Sequence, residues 1–204
     1  MKKKIGILVR PNLDRLTINR ELSDKIIQYH CIPVGIIPTC DEGHMSPEAF
    51  QDMIDMINLC DGIILQGGTD YYDYDIRTVQ YLYQRDIPTL GICLGMQTMG
   101  CAYGGKLGKI DTQNHYQLVD YVHPVSIGKN SKLYSILKKD VIMVNSRHHE
   151  QLLNTDLSVV AASEQIIEAV EDPAKKFFIG VQWHPESIND ENSEALFRAF
   201  FDSI

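Results

Sequence analysis

Apolar residues along this chain come as short solid runs alternating with stripes at helical spacing. Ile5 to Val9 predicts a buried strand, and Asn19 to His30 follows with Leu22, Ile26 and Ile27 on one helical face. Ile32 to Ile37 predicts a second strand, interrupted by Pro33. Ser46 then stands as a helix cap with Pro47 in the first turn, and Phe50, Met53, Ile54 and Ile57 supply the buried stripe. Gly62 to Leu65 is fully apolar and runs into Gly67, Gly68, Thr69 and Asp70, before an amphipathic helix over Ile76 to Gln84. Pro88 to Ile92 is the next strand. Leu94, Met96, Gln97, Thr98, Met99 and Ala102 suit a helix that begins one residue after Cys93. This alternation predicts an α/β fold, a three-layer α/β/α sandwich with parallel strands and a ligand site at their carboxyl ends.

Beyond Gly105 the rhythm changes. LVDYVHPVSI, VIMV, LSVVAAS, IIEAVED and FFIGVQW are separated by short polar turns, which predicts added antiparallel strands and so a mixed, mostly parallel sheet. A last helix over Glu191 to Ser203 places Leu196, Phe197, Phe200 and Phe201 on one face. No repeat, low-complexity tract or linker interrupts the pattern, and 204 residues with 44% hydrophobic content can bury one substantial core. A single domain over residues 1–204 is expected.

A formal charge of −8 excludes general attraction to nucleic acid or to an anionic membrane, so an anionic ligand must be held by local groups. The opening MKKKIGILVRPN has too short an apolar stretch before Arg10 for a signal-peptide core or a membrane span. Five cysteines without C-x-x-C spacing argue against a disulfide framework and a structural zinc site, and point to a reducing cytoplasm. No metal is expected: His148 and His149 are adjacent and lack ligands at suitable spacing.

Cys93 is the candidate nucleophile. Gly91 and Gly95 flank it at equal distance on a strand-to-helix junction, where a sharp, strained turn needs neighbours without Cβ. The helix beginning at Leu94 would direct free N–H groups and partial positive charge toward the sulfur, favouring thiolate. An isolated cysteine in an apolar segment is more often a small core residue. The segment VQWHPE tips the balance, because a nucleophilic cysteine needs a base and the base needs an orienting acid. His184 and Glu186, two apart in extended chain with Pro185 between, point the same way and complete a Cys-His-Glu triad.

With these residues, GICLGMQ and QWHPE resemble the class I glutamine amidotransferase domain. LQGGTDYYDYD from Leu65 and VNSRHHEQ from Val144 resemble its γ-glutamyl hydrolase branch, which contains the γ-glutamyl-γ-aminobutyrate hydrolases. Gln66 departs from the proline common before the Gly pair, which bears on loop stiffness, and Glu150 departs from the glutamine usual after the His pair. The resemblance implies a cofactor-independent hydrolase in which Cys93 attacks the δ-carbonyl of a small-molecule γ-glutamyl amide and forms a γ-glutamyl thioester. It assigns the oxyanion to the N–H groups of Gly68 and Leu94, the glutamyl group to Gln97, and a place near the substrate to Ser146 and His148.

Relatives in this branch act on γ-glutamyl polyamine intermediates, polyglutamylated folates, or γ-glutamyl nucleotide phosphoramidates such as a γ-glutamyl-CDP-amidate. For a phosphorylated leaving group, Arg10 and Arg147 are the best-placed cations. The loop from Asp70 to Asp75, whose Tyr71, Tyr72 and Tyr74 suggest a lid, and the segment from Asn145 to Glu150 are expected to select the leaving group. His115 and His149, polar loop histidines, are expected at the surface. Two further readings stay open: a glutaminase subunit passing ammonia to a partner synthase, and a non-catalytic binding protein. A homo-oligomer is compatible with all three.

Overall fold

The computed structural model describes residues 1–12, 14–39, 44–110 and 115–204. In chain order the elements are β1 (Lys4–Leu8), β2 (Arg10–Asn12), β3 (Arg15–Thr17), α1 (Arg20–Gln28), β4 (Ile32–Ile36), α2 (Pro47–Asn58) and β5 (Gly62–Leu65). They continue with α3 (Asp73–Gln84), β6 (Thr89–Ile92), α4 (Leu94–Ala102), β7 (Lys106–Lys109), β8 (Tyr116–Gln117), β9 (His123–Ile127), α5 (Lys132–Leu137) and β10 (Val141–Val144). The last are β11 (Ser146–Arg147), β12 (Glu150–Asn154), β13 (Ser158–Ser163), β14 (Ile166–Glu171), β15 (Phe178–Val181) and α6 (Glu191–Asp202).

Nine strands form one sheet in the order β10-β9-β13-β14-β15-β6-β5-β1-β4. From β4 to β15 every pairing is parallel, and from β15 to β10 every pairing is antiparallel. The expected mixed sheet and three-layer α/β/α arrangement are what the chain adopts.

Alternation along the strands feeds two cores. Ile5 and Ile7 of β1, Ile64, Leu90, Ile92, Ile179 and Val181 face the side covered by Leu22 and Ile26 of α1, Leu133 and Leu137 of α5, and Leu196, Phe197 and Phe200 of α6. Leu8, Ile63, Leu65 and Phe178 face the opposite side, under Met53, Ile54 and Ile57 of α2, Val79 and Leu82 of α3, and Met96 and Met99 of α4. Strands buried on both faces read as solid apolar runs, which is why they stand out in the sequence. Ser46 caps α2 by accepting from the Ala49 N–H, with Pro47 at its first position. No described helix is long and apolar enough to cross a membrane.

Three features depart from the pattern reading. Helix α3 starts at Asp73, because the Asp75 carboxylate accepts from the Tyr72 N–H and caps the extra turn. Helix α5, too short to show a periodic stripe, is capped by Ser131. The ribbons β2–β3 and β12–β7 lie outside the main sheet. Of the five cysteines, Cys40 lies outside the described residues, and the other four are free thiols.

Candidate active site

Strand β6 ends at Ile92, and α4 starts at Leu94, so Cys93 alone makes the turn. It does so at φ 53° and ψ −108°, a left-handed conformation that is costly for a residue with a Cβ. What holds it there is contact on every side. The Cys93 N–H donates to Val181 O at 2.8 Å, continuing the β15 pairing. A Cβ on Gly95 would lie 2.0 Å from Leu65 O, and one on Gly91 would lie 2.4 Å from Met99 Sδ and 2.9 Å from the Gly95 carbonyl carbon. The flanking glycines are therefore required by the approach of α4 to the strand ends. The thiol is only 6% exposed.

His184 follows β15, next to β6 in the sheet, and its ring lies beside the Cys93 side chain, both of them against Gly67. Its Nδ1 lies 2.7 Å from Glu186 Oε1, which leaves Nε2 for the sulfur. Burial alone would push the imidazole down, but the Glu186 carboxylate and the Cys93 sulfur more than offset this and hold it well above its ordinary value. Glu186 is itself set in the helical turn Pro185–Ser187, and its Oε1 also accepts from Asn19 Nδ2 at 3.2 Å.

Two side chains to which the sequence assigns other roles or none fix this pair. Asn145, fully buried, accepts the His184 N–H at 2.8 Å and donates to its carbonyl at 2.9 Å, so one side chain clamps the backbone of the base. Gln66 donates to Leu8 O and Thr17 O, both at 3.0 Å, and accepts from the Asn19 N–H at 2.8 Å. Instead of altering loop stiffness alone, it ties β1, β3 and the start of α1 together and so places Asn19 against Glu186.

Gly67 and Gly68, at the end of β5, close over the thiol. A Cβ on Gly67 would stand 3.0 Å from His184 Cε1, and one on Gly68 would stand 3.0 Å from Leu94 Cδ2. Neither the Gly68 nor the Leu94 N–H has an acceptor among the described residues, as expected of a helix N-terminus and a turn that face a ligand. A cavity of about 450 Å³ opens beside them, lined by Arg10, Thr17, Gly67, Gly68, Asp70 and Tyr72 among others.

Residues 44–204 match the family model for glutamine amidotransferase class-I. The chain belongs to that family. Membership implies amide hydrolysis as the domain's activity. A glutamine amidotransferase-like protein of Rickettsia prowazekii is 26% identical over 98% of this chain and 97% of its own length. The GMP synthase of Francisella philomiragia is 33% identical over 68% of this chain, which spans only 27% of that enzyme. Among solved structures, a GMP synthase subunit from Thermoplasma acidophilum superposes with TM-score 0.75 at 18% identity, over 100% of this chain and 94% of the other. The CTPS glutaminase domain of Trypanosoma brucei gives TM-score 0.75 at 19% identity, over 99% and 93%.

Within this amidotransferase domain the other candidate residues are placed as follows. Arg10 lines the cavity, but its guanidinium is spent on Asp75 Oδ1 and Asp70 O, both at 2.5 Å. Arg147 donates to Ser187 Oγ at 3.0 Å, makes no ion pair among the described residues, and has an unpartnered Nε. Gln97 gives both amide hydrogens to the protein, to Glu150 O at 2.9 Å and Gln182 Oε1 at 3.0 Å. Only its carbonyl is left for a ligand. The tyrosine lid is not formed as expected: Tyr74 is fully buried in the first turn of α3 and stacks on Tyr72, and of the three only Tyr71 is exposed.

Ser146 and His148 follow Asn145, which bonds the His184 backbone, and His148 is close enough to His184 to feel its charge. Ser146 and His148 are both buried beside His115 and His123, away from the 450 Å³ cavity. His115 is buried too, contrary to the surface expectation, whereas His149 is exposed and stacks on Tyr116. The expectation that His148 has no companions at ligand spacing fails in three dimensions, because β9 and β14 bring His123 and Glu168 to it. Burial pushes His148 down to about 4 and the Glu168 carboxyl up to about 8.

Proposed function

We propose that this domain is a cysteine-dependent hydrolase that cleaves a γ-glutamyl amide through a γ-glutamyl thioester on Cys93, releasing an amine or a nucleotide phosphoramidate as leaving group. The observation that carries the reading is the junction of Cys93, His184 and the two acceptor-free N–H groups of Gly68 and Leu94. The Cys93 sulfur attacks the δ-carbonyl and forms the C–S bond, while the oxyanion is received by those two N–H groups. Each preorganised donor contributes on the order of 100-fold or more. The imidazolium of His184 gives its proton to the departing nitrogen as the C–N bond breaks. Water, losing a proton to His184, then adds to the thioester carbonyl, and collapse expels the sulfur and releases glutamate. Glu186 holds Nδ1 and stabilises the charged ring throughout.

The cavity beside Gly68 supports a leaving group larger than ammonia. Arg10 is held there by Asp75, and Arg147, whose Nε has no partner, lies outside the lining of that cavity, so it would meet only an anionic leaving group that extends beyond it. A second reading, a glutaminase supplying ammonia to a synthase, is favoured by the GMP synthase relatives.

Glutamate release from glutamine, γ-glutamyl amines and γ-glutamyl phosphoramidates separates the two. The conjugates are expected to exceed glutamine in kcat/KM, with Arg147→Ala lowering only the phosphorylated ones. Strong glutamine hydrolysis that appears only with an added synthase would favour the second reading. Intact-mass analysis after a glutamine-like electrophile is expected to place one adduct on Cys93.

A further inference from the structure

We propose that His115, His123, His148 and Glu168 form a closed site for one divalent ion of the zinc class. One ligand atom from each lies within 4.8 Å of all the others, and all four residues are buried. They arrive from four places: the segment before β8, the start of β9, the end of β11 and the middle of β14.

The rings are already set in the tautomer that a metal needs. His148 Nδ1 lies 2.9 Å from Glu150 O and His123 Nδ1 lies 3.4 Å from Pro124 O. Since a carbonyl only accepts, each ring carries its proton on Nδ1 and turns a bare Nε2 inward. His115 Nδ1 lies 3.4 Å from Ser146 Oγ, whose own proton goes to His115 O, so that oxygen is free to accept. Ligating histidines are held in this way, by a second partner that fixes ring orientation and raises ligand basicity.

The inward atoms are those without partners. His123 Nε2, His148 Nε2 and both Glu168 oxygens are buried and unbonded. Glu168 is 0% exposed, and His123 Nε2, at 3.7 Å, is beyond hydrogen-bond reach. A single proton shared between Glu168 and one ring would satisfy two of these atoms and leave the rest orphaned. One cation takes three of them, His123 Nε2, His148 Nε2 and one carboxylate oxygen, and supplies the charge that a buried carboxylate lacks.

Three imidazoles, one carboxylate and no thiolate suit Zn²⁺ with four protein ligands, the closed pattern of a structural ion. Tetrahedral Zn²⁺ requires ligand atoms about 3.3 Å apart, so loading would draw the four inward. A cavity of about 170 Å³ lined by His115, His123, Ser126, Ser163 and Glu164 gives an entry path. The ion would pin the segment around His148 to β14, and with it Asn145, which holds His184, and Arg147. Its role is positional: no ligand touches the reacting atoms.

The test is metal analysis of the tag-free full chain, stripped with chelator and reloaded with Zn²⁺ or Co²⁺. The expected result is about one tightly held ion per chain, a higher Tm on reloading, and the strong visible absorption of tetrahedral Co²⁺. Glu168→Gln and His123→Ala should each lose the ion and the absorption. If His123→Ala fails to fold, Glu168→Gln and the wild-type Co²⁺ spectrum decide. Failure of the stripped wild type to take up either metal, or equal uptake by Glu168→Gln, overturns the proposal. Because metal content and spectrum are read without substrate, the outcome is independent of the proposed hydrolysis.

Discussion

The parallel and antiparallel halves of the sheet carry polar residues on different terms. In the parallel half, β6 and β15 run side by side and end together, so Cys93 and His184 meet at their carboxyl ends. Their polar groups are closed by internal partners, save the Gly68 and Leu94 N–H groups, Gln182 Nε2 and one oxygen of Glu186. In the antiparallel half, His123 of β9, Glu168 of β14 and His148 after β11 are buried together with His123 Nε2, His148 Nε2 and both Glu168 oxygens unmatched. The difference separates proposed chemistry from posture: the parallel ends hold the groups proposed to react, and the antiparallel side holds the segment that bonds the His184 backbone.

The largest expected effect is at the nucleophile. Cys93→Ala should lower turnover on the order of 10⁴-fold or more with an unchanged fold, measured as glutamate release beside circular dichroism. Substantial residual activity would move the chemistry elsewhere. Next is Gly95→Ala, whose new methyl must displace Leu65 O. It should cost about 3 kcal/mol or more of stability, read by urea denaturation; a neutral result would mean the elbow is not held by close approach.

Asn145→Ala tests the division of labour directly, since this side chain belongs to the antiparallel half and bonds only the backbone of His184. We expect kcat to fall about 10- to 100-fold, in line with a displaced catalytic group, with a smaller change in KM. Equal kcat in variant and wild type would break the link between the halves.

The smallest effect is in pH dependence. His184 binds its proton more tightly folded than unfolded, so its contribution to stability is complete below about 6.5 and is lost as pH rises through the raised folded value. Glu186→Gln removes the principal raising charge and should bring this alkaline loss to lower pH, seen as a shifted fall in Tm.

The parallel half is legible in the sequence because buried strands are solid apolar runs and because the elbow is a local pattern: Gly91, Cys93 and Gly95 lie in five residues. His184 and Glu186 are legible for the same reason. The roles of Asn145, Gln66 and Asn19 are not, since each acts on residues far away in sequence, and an isolated Asn or Gln has no spacing to betray it. The histidine cluster is hidden more deeply. Adjacent His148 and His149 show no ligand spacing in the sequence, whereas the fold turns one inward and leaves the other stacked outside on Tyr116. Arg10 reads as a free cation because the acid that neutralises it, Asp75, is 65 positions away.

Gln66 bears on how this domain can be re-engineered. Its three hydrogen bonds make the turn after β5, the end of β1, the base of the β2–β3 ribbon and the cap of α1 a single unit. A loop transplanted from a relative with proline at this position would arrive without the amide that seats Asn19, and the loss would surface at Glu186, which Asn19 contacts. Grafts meant to change the leaving group should therefore carry residues 8, 17, 19 and 66 as one cassette. A library that varies the 66–75 loop alone will select against its own best binders whenever they forfeit that amide.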